Sequence, residues 1–147
     1  MKHILFLCSG NYYRSRFAEE LFNFHSEKAQ LNWWASSRAL AIERGSENDG
    51  SLSPFTIEAL KARNIIPAGL ARFPLACRSE DFETADHVIA MKEADHRPLI
   101  ADRFPGWQNR VTYWHVHDID AARPAEAIDM IDRLVSDLIV RMTSGEN

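Results

Sequence analysis

The sequence predicts an α/β fold: a three-layer sandwich in which a four-stranded parallel sheet carries helices on both faces. Short apolar or β-branched runs alternate along the chain with stretches whose apolar residues recur at helical spacing. Strands that alternate with helices in this way form a parallel sheet, with the helices packed on its two faces. The length of 147 residues suits one domain, so we expect residues 1–147 to fold as a single unit.

Residues 3–7 predict the first strand, because this run is short, apolar and free of glycine and proline. Beyond Ser15 the apolar residues recur every three or four positions, as Phe17, Ala18, Leu21 and Phe22 show. This spacing predicts an amphipathic helix over residues 15–28.

Residues 31–36 predict the second strand. Trp33 and Trp34 are neighbours on it and should point to opposite faces, so that one lies in the core and the other near the surface. The stretch that follows, residues 36–54, is rich in glycine, serine, asparagine and aspartate, which predicts a long irregular connection.

Ser53 and Pro54 predict the start of the next helix, because serine is a preferred N-cap and proline suits the first helical position. We expect this helix to continue to about Asn64. Residues 65–82 contain two prolines and a glycine, which argue against any long element there.

The C-terminal half predicts two more strands and two more helices. Residues 85–91 have an apolar centre and residues 111–116 are β-branched or aromatic, so both predict strands. Residues 92–102 predict a helix that Pro98 starts or interrupts, and Pro124 predicts the start of the last helix. One face of that last helix is apolar and consists of Ile128, Ile131, Val135, Leu138, Ile139 and Met142.

Residues 8–15, Cys-Ser-Gly-Asn-Tyr-Tyr-Arg-Ser, lie between the first predicted strand and the first predicted helix. A loop that enters a helix N-terminus turns its backbone N–H groups inwards, and these groups bind an anion together with the helix dipole. Gly10 permits a tight turn, Asn11 tolerates a left-handed conformation, and Arg14 presents a planar fork of donors that matches two phosphate oxygens. The predicted phosphate-binding residues are Ser9, Gly10, Asn11, Tyr12, Tyr13, Arg14 and Ser15.

Cys8 is the predicted nucleophile of this loop. An anion-binding hollow stabilises a thiolate over a thiol, and the Ser15 hydroxyl can donate a hydrogen bond to that thiolate. A thiolate beneath a bound phosphate is a nucleophile aimed at phosphorus. We therefore expect Cys8 and Arg14 to be catalytic.

The pattern Cys8-Ser9-Gly10-Asn11-x-x-Arg14-Ser15, directly after an apolar strand, resembles that of the low-molecular-weight protein tyrosine phosphatases. Residues 35–37 and 86–91 and an aspartate-containing loop before the last helix extend the resemblance over nearly the whole chain. It implies a phosphatase I-like fold and hydrolysis of phosphomonoesters, phosphotyrosine above all, through a cysteinyl-phosphate intermediate. The implied partner is a phosphorylated protein or a small phosphomonoester, and the implied chemistry needs no cofactor.

Cleavage of a phosphate ester also needs a proton for the leaving alcohol, which a carboxylic acid across the cleft supplies. The family keeps an Asp-Pro dipeptide in the loop after the fourth strand. Here the loop over residues 115–120 lacks the proline, and Asp118 and Asp120 compete for the role. We favour Asp118 as the catalytic acid, because its distance from the strand end matches the family better.

In the resembled family the connection over residues 36–54 forms one wall of the cleft and often contributes an aromatic residue. Here that connection offers Arg38, Leu40 and Arg44 and no aromatic residue. If these arginines form a basic wall, it would favour a more anionic ligand over the flat ring of phosphotyrosine; the alternative is that they are solvated, as loop arginines usually are.

Two other functions fit the same loop. An arsenate reductase binds an oxyanion that resembles phosphate, but its chemistry passes a disulfide along further thiols. Cys77 is the single additional cysteine, which excludes a triple-cysteine relay and leaves a version that uses an external thiol. A non-catalytic oxyanion-binding or regulatory module would keep the loop and lose the acid.

Composition restricts the partners. The net charge is −4 and no stripe of lysine and arginine is present, so we expect no nucleic-acid partner. No apolar stretch approaches the ~18 residues of a transmembrane helix, and the N-terminal apolar run is too short for a signal peptide. We therefore expect a cytoplasmic protein without a membrane partner and without a disulfide between Cys8 and Cys77. No cluster of histidine, cysteine and aspartate has the spacing of metal ligands, so we expect no metal.

Overall fold

The computed structural model describes residues 1–118 and 123–145. Its strands are β1 (Lys2–Cys8), β2 (Trp33–Ala39), β3 (His87–Ala90) and β4 (Thr112–Tyr113). Its α-helices are α1 (Arg14–Lys28), α2 (Pro54–Ala62), α3 (Ser79–Thr84), α4 (Glu93–Arg103) and α5 (Pro124–Thr143), and a short 3-10 helix, Ile42–Gly45, follows β2.

The four strands form one parallel sheet in the order β2-β1-β3-β4. β1 is central, since Ile4 pairs with Ala35 on one side and with His87 on the other. Cys8, the last residue of β1, pairs with Ala39, so the carboxyl ends of both strands reach the same edge of the sheet. The predicted four-stranded parallel sheet is confirmed, and ligands of such sheets bind beyond this edge.

The side chains of β1 alternate between two layers of the core. Ile4 and Phe6 face a cluster that α1 and α5 complete, whereas Leu5 and Leu7 face a second cluster that α3 and α4 complete. The helical members of the two clusters include Phe17, Leu21, Ile131, Val135 and Leu138 in the first and Phe82, Leu99 and Ile100 in the second. Helices therefore cover both faces, and the predicted three-layer arrangement is confirmed.

The predicted starts of α2 and α5 are confirmed. The Ser53 hydroxyl accepts a hydrogen bond from the Phe55 amide at 3.2 Å, as an N-cap does, and Pro54 opens α2. Pro124 opens α5, whose predicted apolar face is buried along most of its length. None of the helices in the described ranges is long and apolar enough to cross a membrane.

The predicted end of the second strand at residue 36 is wrong. β2 continues to Ala39, because Ser37 pairs with Phe6 and Ala39 with Cys8 in the register of the sheet. The Ser37 side chain is fully buried and donates its hydroxyl to Glu19, which makes a polar residue acceptable inside the protein. Neither the register nor this partner is visible in the local sequence.

The fourth strand is shorter than predicted. β4 contains two residues instead of the run 111–116, because the chain leaves the ladder after Tyr113. His115 then forms an isolated bridge with Lys92, and the Val116 amide donates to the Met91 carbonyl at 2.7 Å. This departure carries the following loop towards the carboxyl edge of the sheet.

Two helix predictions also need correction. α3 begins at Ser79, inside the stretch predicted to be irregular, where the Asp81 carboxylate accepts from the Arg78 amide at 2.7 Å. α4 begins at Glu93 and contains Pro98, so that the proline neither starts nor ends it. Both helices pack on the second core cluster, and tertiary packing of this kind outweighs local propensity.

Candidate active site

The loop between β1 and α1 turns its carbonyl groups outwards. Four of these carbonyls accept a backbone hydrogen bond: Cys8 from Leu40, Ser9 from Ala41, Tyr12 from Ser53, and Tyr13 from Phe17. The amide groups of residues 10–15 donate to no acceptor in the part of the chain that the structure describes. With its carbonyls held outside, the loop presents its amides to the inside, as an anion-binding loop does.

Asn11 holds the loop in this shape. It has a left-handed backbone with φ of 53°, and its side chain is fully buried. Its amide nitrogen donates to Ser15 at 2.9 Å and to Ser37 at 2.8 Å. Its carbonyl oxygen accepts from the Arg72 guanidinium and from the Leu75 amide, both at 3.1 Å. Asn11 therefore uses its full hydrogen-bonding capacity to brace the loop from below.

The Cys8 sulfur lies at the floor of the loop, 2.9 Å from the Ser15 hydroxyl oxygen. Ser15 accepts a hydrogen bond from Asn11, so its own proton is available for the sulfur. Cys8 is 3% exposed and lines the cavity above the loop. The geometry therefore offers the sulfur a donor that stabilises its ionised form.

Arg14 reaches the end of the sheet beside β4. One guanidinium nitrogen donates to the Val116 carbonyl at 2.9 Å, and the other terminal nitrogen lies 3.6 Å from a carboxylate oxygen of Asp118. The Arg14 side chain is 3% exposed, whereas that of Asp118 is 46% exposed. Both line the cavity, so the structure brings together the predicted arginine and the favoured aspartate. Asp120 lies outside the described residues.

A cavity of about 610 Å³ opens above the loop at the carboxyl edge of the sheet. Among the predicted phosphate-binding residues, five line it: Ser9, Gly10, Tyr12, Tyr13 and Arg14. Asn11 and Ser15 do not; they are fully buried beneath it. The predicted residues thus divide into a lining set and a supporting set.

Charged residues of both signs surround this cavity, and the acidic ones predominate. The lining holds two arginines and four carboxylates: Arg14, Arg44, Glu47, Asp49, Asp95 and Asp118. The predicted basic wall is therefore wrong. Of the three residues that this connection offered, only Arg44 lines the cavity, since Leu40 is buried in the second core cluster and Arg38 lies 3.8 Å from Asp81 in an ion pair.

Aromatic rings line the cavity after all. Tyr12 and Tyr13 belong to the loop itself, and Phe55 comes from the first turn of α2. The rings of Tyr13 and Phe55 pack edge to face with centroids 6.2 Å apart, and Phe55 remains 47% exposed. Burial and the nearby Asp118 carboxylate raise the pKa of Tyr13 to about 12, so its phenol stays protonated and donates to the Pro124 carbonyl.

Cys77 is not part of this site. Both cysteines are free, and Cys77 is absent from the cavity lining. Burial and the neighbouring Asp81 carboxylate raise the pKa of the Cys77 thiol to about 12. The thiol is therefore protonated and unreactive near neutral pH.

Sequence reasoning missed the lining residues that come from other segments. Glu47 and Asp49 belong to a loop composition that is usually just solvated, Phe55 sits on a helix, and Asp95 lies in α4. The available signal for Asp95 was its position just after the third strand, because such positions meet at the carboxyl edge. Within the described residues no group of three histidine, cysteine, aspartate or glutamate side chains is placed to hold a metal ion.

The fold and the site together define an α/β protein with a cysteine in a cavity at the carboxyl edge of its parallel sheet. The model of the family described as low molecular weight phosphotyrosine protein phosphatase matches residues 3–132. The protein-arginine-phosphatase of Bacillus subtilis (strain 168) is 32% identical over 108 residues, which cover 74% of this chain and 67% of that protein.

Solved structures agree with this match. The YwlE arginine phosphatase, in a cysteine-to-serine variant with a phosphorylated active-site serine, has a TM-score of 0.77 at 25% identity and covers 95% of each chain. YfkJ from Bacillus subtilis has a TM-score of 0.81 at 21% identity, covers 100% of this chain and 98% of its own, and shows the likeness of fold alone. The chain therefore belongs to the low molecular weight phosphotyrosine protein phosphatase family and is a phosphatase that acts through a cysteine nucleophile.

Proposed function

We propose that Cys8 is the nucleophile of this phosphatase and that the loop over residues 9–15 holds the phosphoryl group. The observation that carries the proposal is the Cys8 sulfur in the cavity lining, 2.9 Å from the Ser15 hydroxyl oxygen, beside loop amides that donate to no acceptor in the described residues. Arg14 lines the same cavity and adds a positive charge where charge spreads over the phosphoryl oxygens in the transition state.

The reaction has two steps. The Cys8 thiolate forms a bond to phosphorus while the bond to the leaving oxygen breaks, and that oxygen takes the proton of Asp118. A water then attacks phosphorus, gives a proton to Asp118 and breaks the sulfur–phosphorus bond, which releases inorganic phosphate and the thiolate. The position of Asp118 on the cavity wall supports its role as acid and then as base. The phosphorylated serine in the YwlE variant supports a covalent intermediate at this position of the loop.

Turnover of p-nitrophenyl phosphate tests the nucleophile. We expect Cys8→Ser to lower kcat by about 10³-fold or more, since it removes the group that forms the covalent intermediate. Cys77→Ser is the matched control, because Cys77 lies outside the cavity. Full activity of Cys8→Ser, or equal losses in the two variants, would contradict the assignment.

A comparison of leaving groups tests the acid. p-Nitrophenolate leaves without much help, whereas an alkyl oxygen needs a proton. We expect Asp118→Asn to lower kcat for an alkyl phosphate far more than for p-nitrophenyl phosphate. The same comparison with Asp120→Asn decides between the two aspartates, and equal losses on both substrates would remove Asp118 from the role.

The proposed substrate is a phosphorylated side chain of a protein, with phosphotyrosine as the first candidate. Family membership supports this class, and the rings of Tyr12, Tyr13 and Phe55 around the cavity provide apolar faces for a phenyl ring. The two alternative functions, an arsenate reductase and a non-catalytic module, are not favoured, because the family and the similar arginine phosphatase are named as phosphatases.

Phosphoarginine is a second candidate substrate. A protein-arginine-phosphatase is among the similar proteins, and four carboxylates against two guanidinium groups line the cavity. The guanidino group next to the phosphoryl carries several N–H donors, which carboxylates accept well. The test is kcat/KM on matched phosphotyrosine and phosphoarginine peptides with Glu47→Gln, Asp49→Asn and Asp95→Asn. Arginine specificity predicts a loss on the phosphoarginine peptide alone; no difference between peptides would remove this candidate.

A further inference from the structure

His96 is a fully buried histidine that lies against the loop, and the sequence pattern did not single it out. It belongs to the first turns of α4. One ring nitrogen, Nδ1, accepts a hydrogen bond from the Lys92 amide at 3.0 Å. The other, Nε2, lies 3.1 Å from the hydroxyl oxygen of Ser9, the residue directly after the nucleophile. His96 thus connects the start of α4 with the loop that holds the phosphoryl group.

These contacts determine where the protons lie. A backbone amide can only donate, so Nδ1 of His96 carries a lone pair and no proton. Burial, helped by the positive charges of Arg14, Arg44 and Lys92, lowers the pKa of His96 to about 3, so the ring is neutral near pH 7. The single ring proton therefore lies on Nε2 and is donated to the Ser9 oxygen.

The hydroxyl proton of Ser9 has no hydrogen-bond acceptor among the described residues. Because the Ser9 oxygen accepts from His96, its own proton points elsewhere, and it meets no acceptor in the described ranges 1–118 and 123–145. Ser9 lines the cavity next to Cys8, whereas His96 is buried behind it. The hydrogen bond from His96 occupies one side of the Ser9 oxygen, so the hydroxyl proton can turn towards the cavity that Ser9 lines.

We propose that the Ser9 hydroxyl donates a hydrogen bond to an oxygen of the bound phosphoryl group, and that His96 is the positioning residue that aims it. This inference rests on the proposed phosphate site over residues 9–15. It adds a side-chain donor to the amides and the Arg14 guanidinium. A hydroxyl that is already oriented loses little freedom on binding, which is why a buried donor behind it strengthens the contact.

Inorganic phosphate is the probe for the Ser9 hydroxyl. Its dissociation constant is measured by calorimetry and by competition with p-nitrophenyl phosphate. We expect Ser9→Ala to weaken phosphate binding about tenfold, the effect of removing one hydrogen bond to a charged group. Ser9→Thr keeps the hydroxyl and should bind within about threefold of the unsubstituted protein. Binding by Ser9→Ala within twofold of the unsubstituted protein would overturn the proposal.

A double-mutant cycle tests His96. His96→Asn places an acceptor near Nδ1 for the Lys92 amide and removes the donor to Ser9. We expect it to weaken phosphate binding several-fold when Ser9 is present and to have no further effect in Ser9→Ala, because its influence passes through that hydroxyl. Equal effects in both backgrounds would show a merely structural role and overturn the positioning assignment.

The outcomes separate this inference from the proposed function. If the unsubstituted protein binds no phosphate, the phosphate site itself fails. If it binds phosphate and Ser9→Ala binds equally well, the site stands and the Ser9 contact fails. Thermal unfolding of each variant gives its folded fraction. If His96→Asn does not fold, the comparison of Ser9→Ala with Ser9→Thr alone decides whether the Ser9 hydroxyl contacts phosphate.

Discussion

The hydroxyl oxygen of Ser15 lies 2.9 Å from the sulfur of Cys8 while it accepts a hydrogen bond from the Asn11 amide. These two contacts give the serine proton one direction, towards the sulfur. A donor aimed at sulfur favours thiolate over thiol, and the thiolate is the reactive form. The position of Asn11 is fixed in turn, because its side chain donates to Ser37 and accepts from Arg72.

Replacement of Ser15 by alanine should therefore make Cys8 less reactive. We expect Ser15→Ala to slow the alkylation of Cys8 by iodoacetamide at pH 6 and to lower kcat about tenfold, roughly the effect of one charge-assisted hydrogen bond. Mass spectrometry locates and times the alkylation. Ser136→Ala, on α5, is the matched control. An unchanged alkylation rate in Ser15→Ala would refute the role of this hydroxyl.

The brace at Asn11 should matter for both backbone conformation and hydrogen bonding. Alanine at a φ of 53° costs about 1–2 kcal/mol, and loss of the amide leaves Arg72 and the Leu75 amide without their partner. We expect Asn11→Ala to lower the free energy of unfolding by about 3 kcal/mol. Asn11→Gly restores the backbone freedom alone and should recover about 1 kcal/mol. Urea denaturation measures both, and a glycine variant no better than alanine would contradict this division.

Arg16 is a buried guanidinium that ties three segments together. It donates to the carbonyls of Ser51, Gly69 and Arg72, each at 2.9 Å, and more weakly to that of Asn11 at 3.4 Å. Burial, with a smaller contribution from the charge of Arg72, lowers the pKa of Arg16 to about 10, so it is still charged near pH 7.

Methionine at position 16 keeps the approximate volume and removes every donor. We expect Arg16→Met to lower the free energy of unfolding by about 3 kcal/mol, because several buried carbonyls lose their partner. Arg141→Met on an exposed position of α5 is the control and should change stability by less than about 0.5 kcal/mol. Similar losses in the two variants, measured by urea denaturation, would show that the buried contacts contribute little.

His96 should make the protein acid-sensitive. Its pKa is lowered to about 3 in the fold, against 6.5 as the ordinary value, so between these pH values the unfolded chain binds a proton that the folded chain does not. Its contribution to stability is complete above pH 6.5 and is lost as the pH falls towards 3. We expect the loss of this contribution to lower the free energy of unfolding by about 2 kcal/mol between pH 7.5 and pH 5.

Urea midpoints of the unsubstituted protein and of His96→Asn at both pH values isolate this contribution. Burial also lowers the pKa values of His3 and His87, which add to the acid sensitivity of both proteins equally. The variant should therefore lose less stability on acidification than the unsubstituted protein. Parallel losses in the two proteins would show that His96 does not titrate as described.

The sequence was sufficient to predict the arrangement of residues 8–15, because these residues are covalently close. Eight consecutive residues between an apolar strand and an amphipathic helix determine where a thiol, an arginine and a left-handed asparagine stand relative to one another. The alternation of strand and helix patterns likewise predicted the parallel sheet and the edge at which the loop lies.

The residues that form the walls of the cavity could be identified only from the tertiary structure. Phe55, Asp95 and Asp118 reach the loop from three separate segments, and the order of the strands in the sheet brings those segments together. The predicted basic wall failed for the same reason: Arg38 belongs to β2, whose length depends on its pairing with β1. Local spacing determined which side chains lie beside the sulfur, whereas long-range pairing decided which charges and rings line the cavity, since no local pattern records partners that are distant in sequence.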